Sequence, residues 1–420
     1  MRQLFVTFWA YAIYYFVRKN FSVAMPLLEK ELDISKASLG GFLTAHSLLY
    51  GFSKFANGYL ADRSNARTFL AFGLMASALL NFGFGLVNTV TAMGVLWCLN
   101  GWFQGMGFPP CARVLSHWFA PSERGTMWGL WNASHMVGAA IILVWAGYLG
   151  ETYGYKAIFF APGAVALVAS LGILFFLRDT PGSVGLGPVE KHFGATAEIH
   201  EDEDATERHE APPAESESEF KEFLRVRVFG NPYVWLICLA NFCVYTVRYG
   251  FLDWAPTFLN EIKGYELTHA GGMTAGFELA GLVGSLIAGI ITDKFFRKQR
   301  APICVAYMLG TAAAIVALWK MPGGSFAYDS AVLLTVGFMV YGPQFLVGVM
   351  TADIVTKRAA ATAIGLTGLF GYGSSLLYGY GLGKLVDTYG WDAGFQMLAL
   401  IAVLGAVFFA LCWNAGPPED

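Results

Sequence analysis

The chain consists largely of apolar segments that are long enough to cross a lipid bilayer. A spanning helix needs about 20 mostly apolar residues, and the sequence contains about twelve segments of that kind. The first six lie at roughly 3–27, 39–62, 67–88, 91–118, 124–150 and 156–177. The second six lie at roughly 232–256, 268–292, 301–320, 328–351, 357–385 and 391–414. This pattern predicts an all-α membrane protein with twelve transmembrane helices.

The composition is that of membrane helices along the whole chain. Hydrophobic residues make up 56% of the sequence and charged residues 14%, whereas a soluble domain carries roughly 25% charged residues. The apolar content is spread over the full length, which excludes a soluble domain with a single anchor. The formal net charge of −3 gives no bulk field that would attract nucleic acid.

One long polar stretch, at about 178–230, separates the two sets of segments. Its centre reads EIHEDEDATERHEAPPAESESE, which is acidic, contains proline and is poor in apolar residues. A segment of this composition cannot bury a core, so we expect a flexible linker. The predicted domains are an N-terminal six-helix bundle at 1–177, a cytoplasmic acidic linker at 178–230 and a C-terminal six-helix bundle at 231–420.

The two sets of segments repeat each other. The motif GYLADR, from Gly58, is matched near the end of the eighth segment by GIITDK, from Gly289. The motif ETYGYKA, from Glu151, is matched by DTYGWDA, from Asp387. Several matches at one offset of about 230–236 residues indicate a duplication. Two parallel six-helix halves with a site near the midplane between them are a known transporter design.

Lysine and arginine residues in the loops predict the orientation of the chain. Loops after the even-numbered segments carry most of these cations, and loops after the odd-numbered segments carry few. The first group contains the linker cations and Arg63, Arg67, Arg124, Lys294, Arg297, Lys298, Arg300, Lys357 and Arg358. Cytoplasmic loops are rich in such residues, so we expect a multi-pass protein of the cytoplasmic (inner) membrane with both termini in the cytoplasm.

Arg18 and Arg248 are the charged residues that point most directly to a binding site. They lie in the aromatic runs YAIYYFVRKNF and NFCVYTVRYGF, about 15 residues from the inner start of their helices and therefore at one level. Arginine stays charged at physiological pH, and a charge at this depth usually faces a cavity or a partner. One cation from each half indicates a shared anion site. Phosphate geometry would fit, because arginine binds phosphate bidentately.

Each arginine could instead form a structural ion pair. Asp253, Glu278 and backbone carbonyl groups are the possible partners. The matching positions of the two arginines in the two halves are better explained by a shared ligand. Lys19 adjoins Arg18 but points about 100° away from it on a helix, so it need not enter the same cavity.

Further polar side chains lie within the predicted spans. Lys54 is about 8 residues from the inner end of the second segment, and His135 is about 11 residues, or roughly 17 Å, into the fifth. Lys54 could reach the inner interface instead of the site, and His135 could be a hydrogen-bonded core residue. If neither alternative holds, Lys54 and His135 bind the substrate. A histidine in this position can respond to the charge of a phosphate. Trp131 and Asn132, which precede His135, are also predicted substrate contacts.

Tyrosines near the arginines could donate hydrogen bonds into the same cavity. Tyr15 stands three residues before Arg18, and Tyr245 stands three residues before Arg248. This spacing places each tyrosine on the same helix face as its arginine. Aromatic packing is the alternative for each tyrosine taken singly. The predicted substrate-binding tyrosines are Tyr11, Tyr15, Tyr50, Tyr245 and Tyr372.

Charged residues at the inner helix ends are predicted to act in gating. A carboxylate and cations at such ends can hold two bundles together, and breaking the pairs would bias a conformational equilibrium. Glu278, near the middle of its segment, could pair with a site cation when substrate is absent. The predicted gating residues are Asp62, Arg63, Arg67, Asp293, Lys294 and Glu278.

The sequence shows no pattern typical of a nucleotide-driven motor, a metal site or an enzyme. Gly383 and Lys384 are followed by Leu385, so the phosphate-loop pattern fails. No metal-ligand spacing stands out, and the six cysteines include no C-x-x-C pair. We therefore expect no enzyme activity, no cofactor and no metal, and transport would have to use concentration gradients.

Segments along nearly the whole chain resemble the major facilitator superfamily and, within it, the organophosphate:phosphate antiporter family. Gly58-x-x-x-Asp62-Arg63-x-x-x-Arg67 is the usual loop motif of the superfamily. The segments similar to the antiporter family are YYFVRKNFSVAMP, YGFSKFANGYLADRSN, GWFQGMGFPPCARV, WNASHMVG, RDTPGSVGLGP, YTVRYGFLDWAP and GLTGLFGY. YGPQFLVG and GLGKLVDTYGW look closest to the hexose-phosphate branch and its sensor-like relatives.

The resemblance implies the major facilitator fold, with two pseudo-symmetric six-helix bundles. It implies that Arg18 and Arg248 bind a phosphoryl group, with Lys54 and His135 nearby, and that inorganic phosphate is the counter-substrate. The predicted function is the exchange of a phosphorylated metabolite, such as a sugar phosphate or glycerol-3-phosphate, for inorganic phosphate by alternating access. We expect a monomer in the lipid bilayer, with no nucleic acid as a partner.

Two other functions are compatible with these residues. A sugar-phosphate receptor of the same fold would bind the ligand and signal to a membrane partner without exchange. A proton-coupled carrier could use Glu278, Asp253 and His135 to relay protons, although the excess of site cations argues against it. An enzyme embedded in the membrane fits least, because no catalytic set converges.

Overall fold

The structure of the protein is a computed structural model that describes residues 1–186, 222, 224–296, 299–321, 325–355 and 360–415. The regular elements of these residues are helical. The first half contains α1 (Arg2–Leu32), α2 (Lys36–Asp62), α3 (Ala66–Leu86), α4 (Val90–Gln104), α5 (Phe108–Trp118), α6 (Pro121–Asn132), α7 (Ser134–Tyr153) and α8 (Tyr155–Phe176). The second half contains α9 (Pro232–Glu261), α10 (Leu267–Phe295), α11 (Ala301–Lys320), α12 (Phe326–Ile354), α13 (Ala360–Gly373) and α14 (Leu382–Leu411). A π turn, Leu376–Gly381, connects α13 to α14.

Polar residues in the short connections begin several of these helices. The side chains of Ser35, Asn65 and Asn231 accept hydrogen bonds from backbone N–H groups in the first turns of α2, α3 and α9. These N–H groups have no acceptor within their own helix, and a capping side chain satisfies them. The apolar runs therefore start as helices at defined residues.

The helices make twelve passes. α4 and α5 form one pass, interrupted at 105–107, and α6 and α7 form another. α14 bends at Gly390, whose φ of 78° lies in the left-handed region that glycine adopts without strain. The part of α14 before this bend completes the pass that α13 begins, and the part after it is the twelfth pass. Among the described residues, eight helical stretches are long and apolar enough by themselves to cross a membrane. The predicted all-α fold with twelve transmembrane helices is confirmed.

The first six and the last six passes form two bundles that meet along three seams. The first seam joins α1 to α9, and the second joins α7 to α10. In the third, α2 packs against both the π turn and α14. We call the side of the molecule where α1 begins and α14 ends the terminal end, and the opposite side the far end.

The bundles are joined at the far end. Thr44 Oγ1 donates a hydrogen bond to the carbonyl of Ser375 at 2.7 Å, and Tyr378 donates to Ser47 Oγ at 2.8 Å. Nearer the terminal end, a Cβ atom added to Gly58 would meet no atom within 4 Å. Within the part of the chain that the structure describes, the hydrogen bonds and ion pairs between the bundles lie on the far-end side of Arg18 and Arg248. The space between the bundles therefore opens toward the terminal end.

Part of the predicted organisation falls on residues that are not described. Most of the linker predicted at 178–230 lies outside the described residues, as do four of the loop cations, Arg297, Lys298, Lys357 and Arg358. The domain boundaries and the orientation in the membrane therefore stay predictions.

Candidate substrate-binding site

Arg18 lies in α1 directly after a break in the helix. Val17 has non-helical backbone angles, φ −98° and ψ 17°. Arg18 is 8% exposed, and its guanidinium carbon lies 4.0 Å from the centre of the Tyr50 ring and 5.4 Å from that of Tyr15. Among the described residues, no carboxylate forms an ion pair with Arg18. Arg18 is therefore a buried cation surrounded by aromatic faces, which attract cations.

Two buried asparagine side chains hold the non-helical backbone next to Arg18 in place. The carbonyl oxygen of Val17 accepts hydrogen bonds from Asn81 Nδ2 at 3.1 Å and from Asn100 Nδ2 at 2.9 Å. Asn20 Nδ2 in turn donates to Asn81 Oδ1 at 2.8 Å. Because one planar peptide unit joins Val17 to Arg18, these bonds orient the backbone from which the Arg18 side chain leaves. No spacing in the sequence predicts this asparagine cluster, since the three residues come from α1, α3 and α4.

Arg248 occupies the corresponding place in α9 of the other bundle. It is 4% exposed, and its guanidinium carbon lies 4.3 Å from the centre of the Tyr341 ring and 4.7 Å from that of Tyr249. Its Nη2 lies 3.7 Å from Oε1 of Glu278, which is 1% exposed. That distance is too long for a hydrogen bond. Arg248 is therefore partly neutralised, whereas Arg18 is not.

Each arginine lies against a tyrosine that is close to the other bundle. The guanidinium carbon of Arg18 lies 4.0 Å from the centre of the Tyr50 ring, and the centre of that ring lies 5.4 Å from that of Tyr372. The guanidinium carbon of Arg248 lies 4.7 Å from the centre of the Tyr249 ring, which is 4.9 Å from Lys19 Nζ. Both arginines therefore lie at the interface between the bundles.

The predicted tyrosines surround this space. The rings of Tyr50 and Tyr372, from opposite bundles, lie 5.4 Å apart between centres, and Tyr372 lies 6.0 Å from Tyr245. The rings of Tyr11 and Tyr15 lie 5.7 Å apart. Four different helical segments thus bring phenol groups together near the arginines.

The segment before α7 contributes an aromatic wall. Trp131 is fully buried and its ring lies 4.9 Å from that of Tyr11. The His135 ring lies 5.5 Å from that of Tyr15. The Asn132 residue is exposed. Trp131 and His135 thus border the tyrosines, and the role of Asn132 as a substrate contact stays a prediction.

Lys54 lies on α2, next to this aromatic wall. It is half-buried, and its Nζ lies 4.4 Å from the centre of the Phe108 ring. The Phe108 ring in turn lies 5.5 Å from the Trp131 ring between centres. The structure therefore brings Arg18, Arg248, Lys54 and His135 to one region, and their roles as ligands stay predictions.

Two site tyrosines were missed in the sequence. Tyr249 follows Arg248 directly, and Arg248 Nη1 donates to its hydroxyl at 3.4 Å. Tyr341 comes from α12, and its buried hydroxyl has no hydrogen-bond partner among the described residues. No spacing in the sequence links Tyr341 to an arginine in another helix, so only tertiary structure reveals it.

The gating candidates of the C-terminal bundle lie at the terminal end, except Glu278. Arg300 Nη1 lies 3.4 Å from Asp293 Oδ1, and Arg300 Nε lies 2.7 Å from Asp353 Oδ2. These three residues belong to one bundle. Lys294 Nζ lies 5.7 Å from the ring of the adjacent Phe295.

The gating candidates of the N-terminal bundle make similar local contacts. The guanidinium carbon of Arg63 lies 3.7 Å from the centre of the Tyr59 ring, and Arg67 Nε is buried without a hydrogen-bond partner among the described residues. The side chain of Asp62 lies outside the described residues. The contacts described at the terminal end do not join the bundles, so the gating role stays a prediction.

Known proteins similar to this chain include transporters and a sensor. Residues 7–379 match the Major Facilitator Superfamily. The chain is 41% identical over 422 residues to the glycerol-3-phosphate transporter of Bacillus subtilis (strain 168), covering 99% of this chain and 92% of that protein. It is 39% identical to the probable hexose phosphate transport protein of Chlamydia pneumoniae, covering 99% and 91%. It is 35% identical to the membrane sensor protein UhpC of Escherichia coli (strain K12), covering 100% and 93%.

A solved structure agrees with the fold. The crystal structure of a bacterial homolog to the human lysosomal transporter Spinster, in an inward-facing and occupied conformation, superimposes with a TM-score of 0.76 at 16% identity, covering 98% of this chain and 96% of the other. The chain therefore belongs to the major facilitator superfamily, a family of multi-pass membrane transporters rather than enzymes. Within that superfamily it is a member of the organophosphate:phosphate antiporter family, as its motifs predicted.

Proposed function

We propose that this protein exchanges a phosphorylated metabolite for inorganic phosphate by alternating access. The observation that carries the proposal is the pair of buried arginines, Arg18 and Arg248, one in each bundle and both at the interface between them. Relatives named as glycerol-3-phosphate and hexose phosphate transporters support a phosphate ester as substrate. In the predicted orientation, the terminal end is cytoplasmic and the described state is open to the cytoplasm.

The two cations explain why the protein would exchange anions and not leak. Arg18 has no carboxylate partner among the described residues, and Arg248 has only the contact at 3.7 Å. Burying an uncompensated charge costs several kcal/mol. Closing the terminal end over an empty site would bury both charges further. A phosphoryl group bound by both guanidinium groups neutralises them, so the loaded protein crosses between states more readily than the empty one.

The other site residues would complete the phosphoryl site and its surroundings. Lys54 supplies a third cation toward the terminal end, and His135 a further nitrogen. The five predicted tyrosines supply hydroxyl donors from both bundles. A substrate that contacts both bundles at once is held only when the bundles approach each other, which couples binding to closure.

Phosphate counterflow in proteoliposomes tests this function. Liposomes loaded with phosphate should take up labelled phosphate, and Arg18→Lys or Arg248→Lys should lower that exchange about tenfold or more, because lysine keeps the charge but loses the two-pronged hydrogen bonding. The matched control is Arg225→Lys, since the Arg225 side chain is 80% exposed. Wild-type exchange by both site variants would disprove the arginine clamp.

A competition panel identifies the ester. Glycerol-3-phosphate, glucose-6-phosphate and phosphoglycerate should each compete with labelled phosphate uptake to a different degree, and the strongest competitor should itself be exchanged from loaded liposomes. Failure of all three esters to compete would leave phosphate alone as the substrate.

A receptor is the second candidate, supported by the similarity to a membrane sensor protein. A receptor would keep the arginine site and bind phosphate esters, because binding needs only one of the two states. Ligand binding by purified protein without counterflow would favour this function over exchange.

A further inference from the structure

We propose that Glu151 and Asp387 are two latches that hold the far end closed, each by capping a helix of the opposite bundle. They begin the duplicated motif ETYGYKA and DTYGWDA, to which the substrate site assigns no role. The inference rests on the alternating access of the proposed function.

Asp387, in α14, caps the start of α2. Its Oδ1 accepts a hydrogen bond from the backbone N–H of Lys36 at 3.2 Å, and its Oδ2 accepts one from the N–H of Ala37 at 2.6 Å. The first N–H groups of a helix have no acceptor within the helix, and their partial positive charge favours a carboxylate. Ser35, the residue at the start of α2, accepts from a different group, the N–H of Ser38. The carboxylate of one bundle therefore satisfies donors of the other.

At the second latch the roles of the bundles are exchanged. Glu151, at the end of α7 in the N-terminal bundle, caps the start of α10 in the C-terminal bundle. Its Oε1 accepts from the backbone N–H of Thr268 at 2.9 Å, and its Oε2 accepts from Thr268 Oγ1 at 2.5 Å. Glu266, which precedes α10, provides no side-chain cap of its own. The cap of α10 is thus supplied across the interface by the N-terminal bundle.

The two latches end two equivalent seams. Gly147 lies four residues before Glu151, and Gly383 lies four residues before Asp387. A Cβ atom at Gly147 would lie 2.6 Å from the carbonyl oxygen of Leu267, and one at Gly383 would lie 2.3 Å from that of Lys36. Each seam is therefore packed backbone against backbone and is closed at its far end by a carboxylate cap. The duplication explains why both copies keep an acidic residue at this position.

Opening of the far end must break both latches, because each carboxylate and the helix it caps belong to different bundles. Glu151 and Asp387 are exposed, so water replaces each lost cap and the effect is a shift in population instead of unfolding. Glu151→Gln or Asp387→Asn keeps the shape but removes the negative charge. We expect each change to raise the far-end-open population about fivefold, as for the loss of a helix cap, and the double variant to exceed either single one.

Distance measurements between spin labels at the far end test the latches. Labels attached at Thr91→Cys and Ala327→Cys report on opposite bundles, and both positions are exposed. Cys98→Ser removes the native cysteine that is not buried. In the full chain in lipid nanodiscs without substrate, the long-distance population should rise for both latch variants. Glu151→Asp should fall between the wild type and Glu151→Gln.

Glu266→Gln is the matched control, because Glu266 is an exposed far-end carboxylate whose partner, His269, lies in the same helix region of its own bundle. It should leave the distances unchanged. A double latch variant with the wild-type distance distribution would overturn the proposal. The distance measurement does not depend on transport. If the wild-type protein showed no phosphate exchange, that result would count against the proposed function and not against the latches.

Discussion

Lys19 and Asp253 form a buried ion pair that joins the two bundles beside the substrate site. Lys19 Nζ lies 2.5 Å from Asp253 Oδ1, and Ser22 Oγ donates to the same oxygen at 3.1 Å. The two charged residues are 4% and 3% exposed. Lys19 follows Arg18 on α1, and Asp253 lies five residues beyond Arg248 on α9. The helices that carry the two arginines are thus tied together on the far-end side of the site.

Removing one partner of this ion pair should be more harmful than removing both. Lys19→Met or Asp253→Leu leaves an uncompensated buried charge and should destabilise the protein by about 3–5 kcal/mol. The double variant leaves no charge behind and should recover most of that loss, which thermal unfolding in detergent measures. Additive losses in the double variant would show that the two residues do not depend on each other.

Neutralising Glu278 should strengthen anion binding. Glu278→Gln removes the carboxylate 3.7 Å from Arg248, so Arg248 keeps more of its positive charge for the ligand. The dissociation constant of phosphate, measured by calorimetry, should fall about tenfold, because the attraction between opposite charges at this separation is worth on the order of 1–4 kcal/mol. Exchange should slow at the same time, because release becomes harder. Weaker binding would mean that Glu278 orients Arg248 instead of competing with the ligand.

Side chains added at the far-end seams should prevent closure. A Cβ atom at Gly40 would lie 2.2 Å from the Gly379 carbonyl oxygen, and one at Gly271 would lie 2.1 Å from that of Leu143. Gly40→Ala and Gly271→Ala should therefore separate the bundles at the far end and reduce phosphate counterflow. Gly272→Ala is the control, since a Cβ there meets nothing within 4 Å. Equal counterflow in all three variants would contradict the close packing.

The asparagines that hold the break in α1 should influence the affinity of the site. Asn81→Ala or Asn100→Ala removes one donor from the buried Val17 carbonyl and should cost about 1–3 kcal/mol of stability. Both should also weaken phosphate binding, because Arg18 loses its fixed orientation. Asn241→Ala, which loses a 2.8 Å bond to the Thr367 carbonyl, should lower stability without the loss of affinity. Unchanged phosphate affinity in the first two variants would show that Asn81 and Asn100 have only a structural role.

The central site shows how far sequence reasoning reaches for a membrane protein. Arg18 and Arg248 stand out because charge is rare and costly in apolar segments, and their helix level follows from a constant rise per residue. The presence of Tyr15 and Tyr245 at the site is predicted by their position three residues before an arginine. The presence of Tyr341, Asn81 and Asn100 is not predicted, because each reaches the site from a helix that shares no sequence neighbourhood with an arginine.

Lys19 is a second example of a residue whose position is predicted by the sequence but whose partner is not. Helical periodicity predicts that Lys19 points about 100° away from Arg18, but it does not say what lies there. The partner is Asp253 of the opposite bundle, and the pairing depends on how α1 and α9 meet. The caps by Glu151 and Asp387 depend on tertiary structure in the same way, although both residues are visible as a repeat.

The number of passes, the duplication and the family can be read from the sequence, because bilayer thickness sets segment length and local periodicity sets the faces of each helix. Tertiary structure alone decided which end of the molecule is closed and which side chains meet across the bundles. Those contacts depend on the rotation and close approach of the two bundles, and backbone packing at residues such as Gly40 and Gly271 controls that approach.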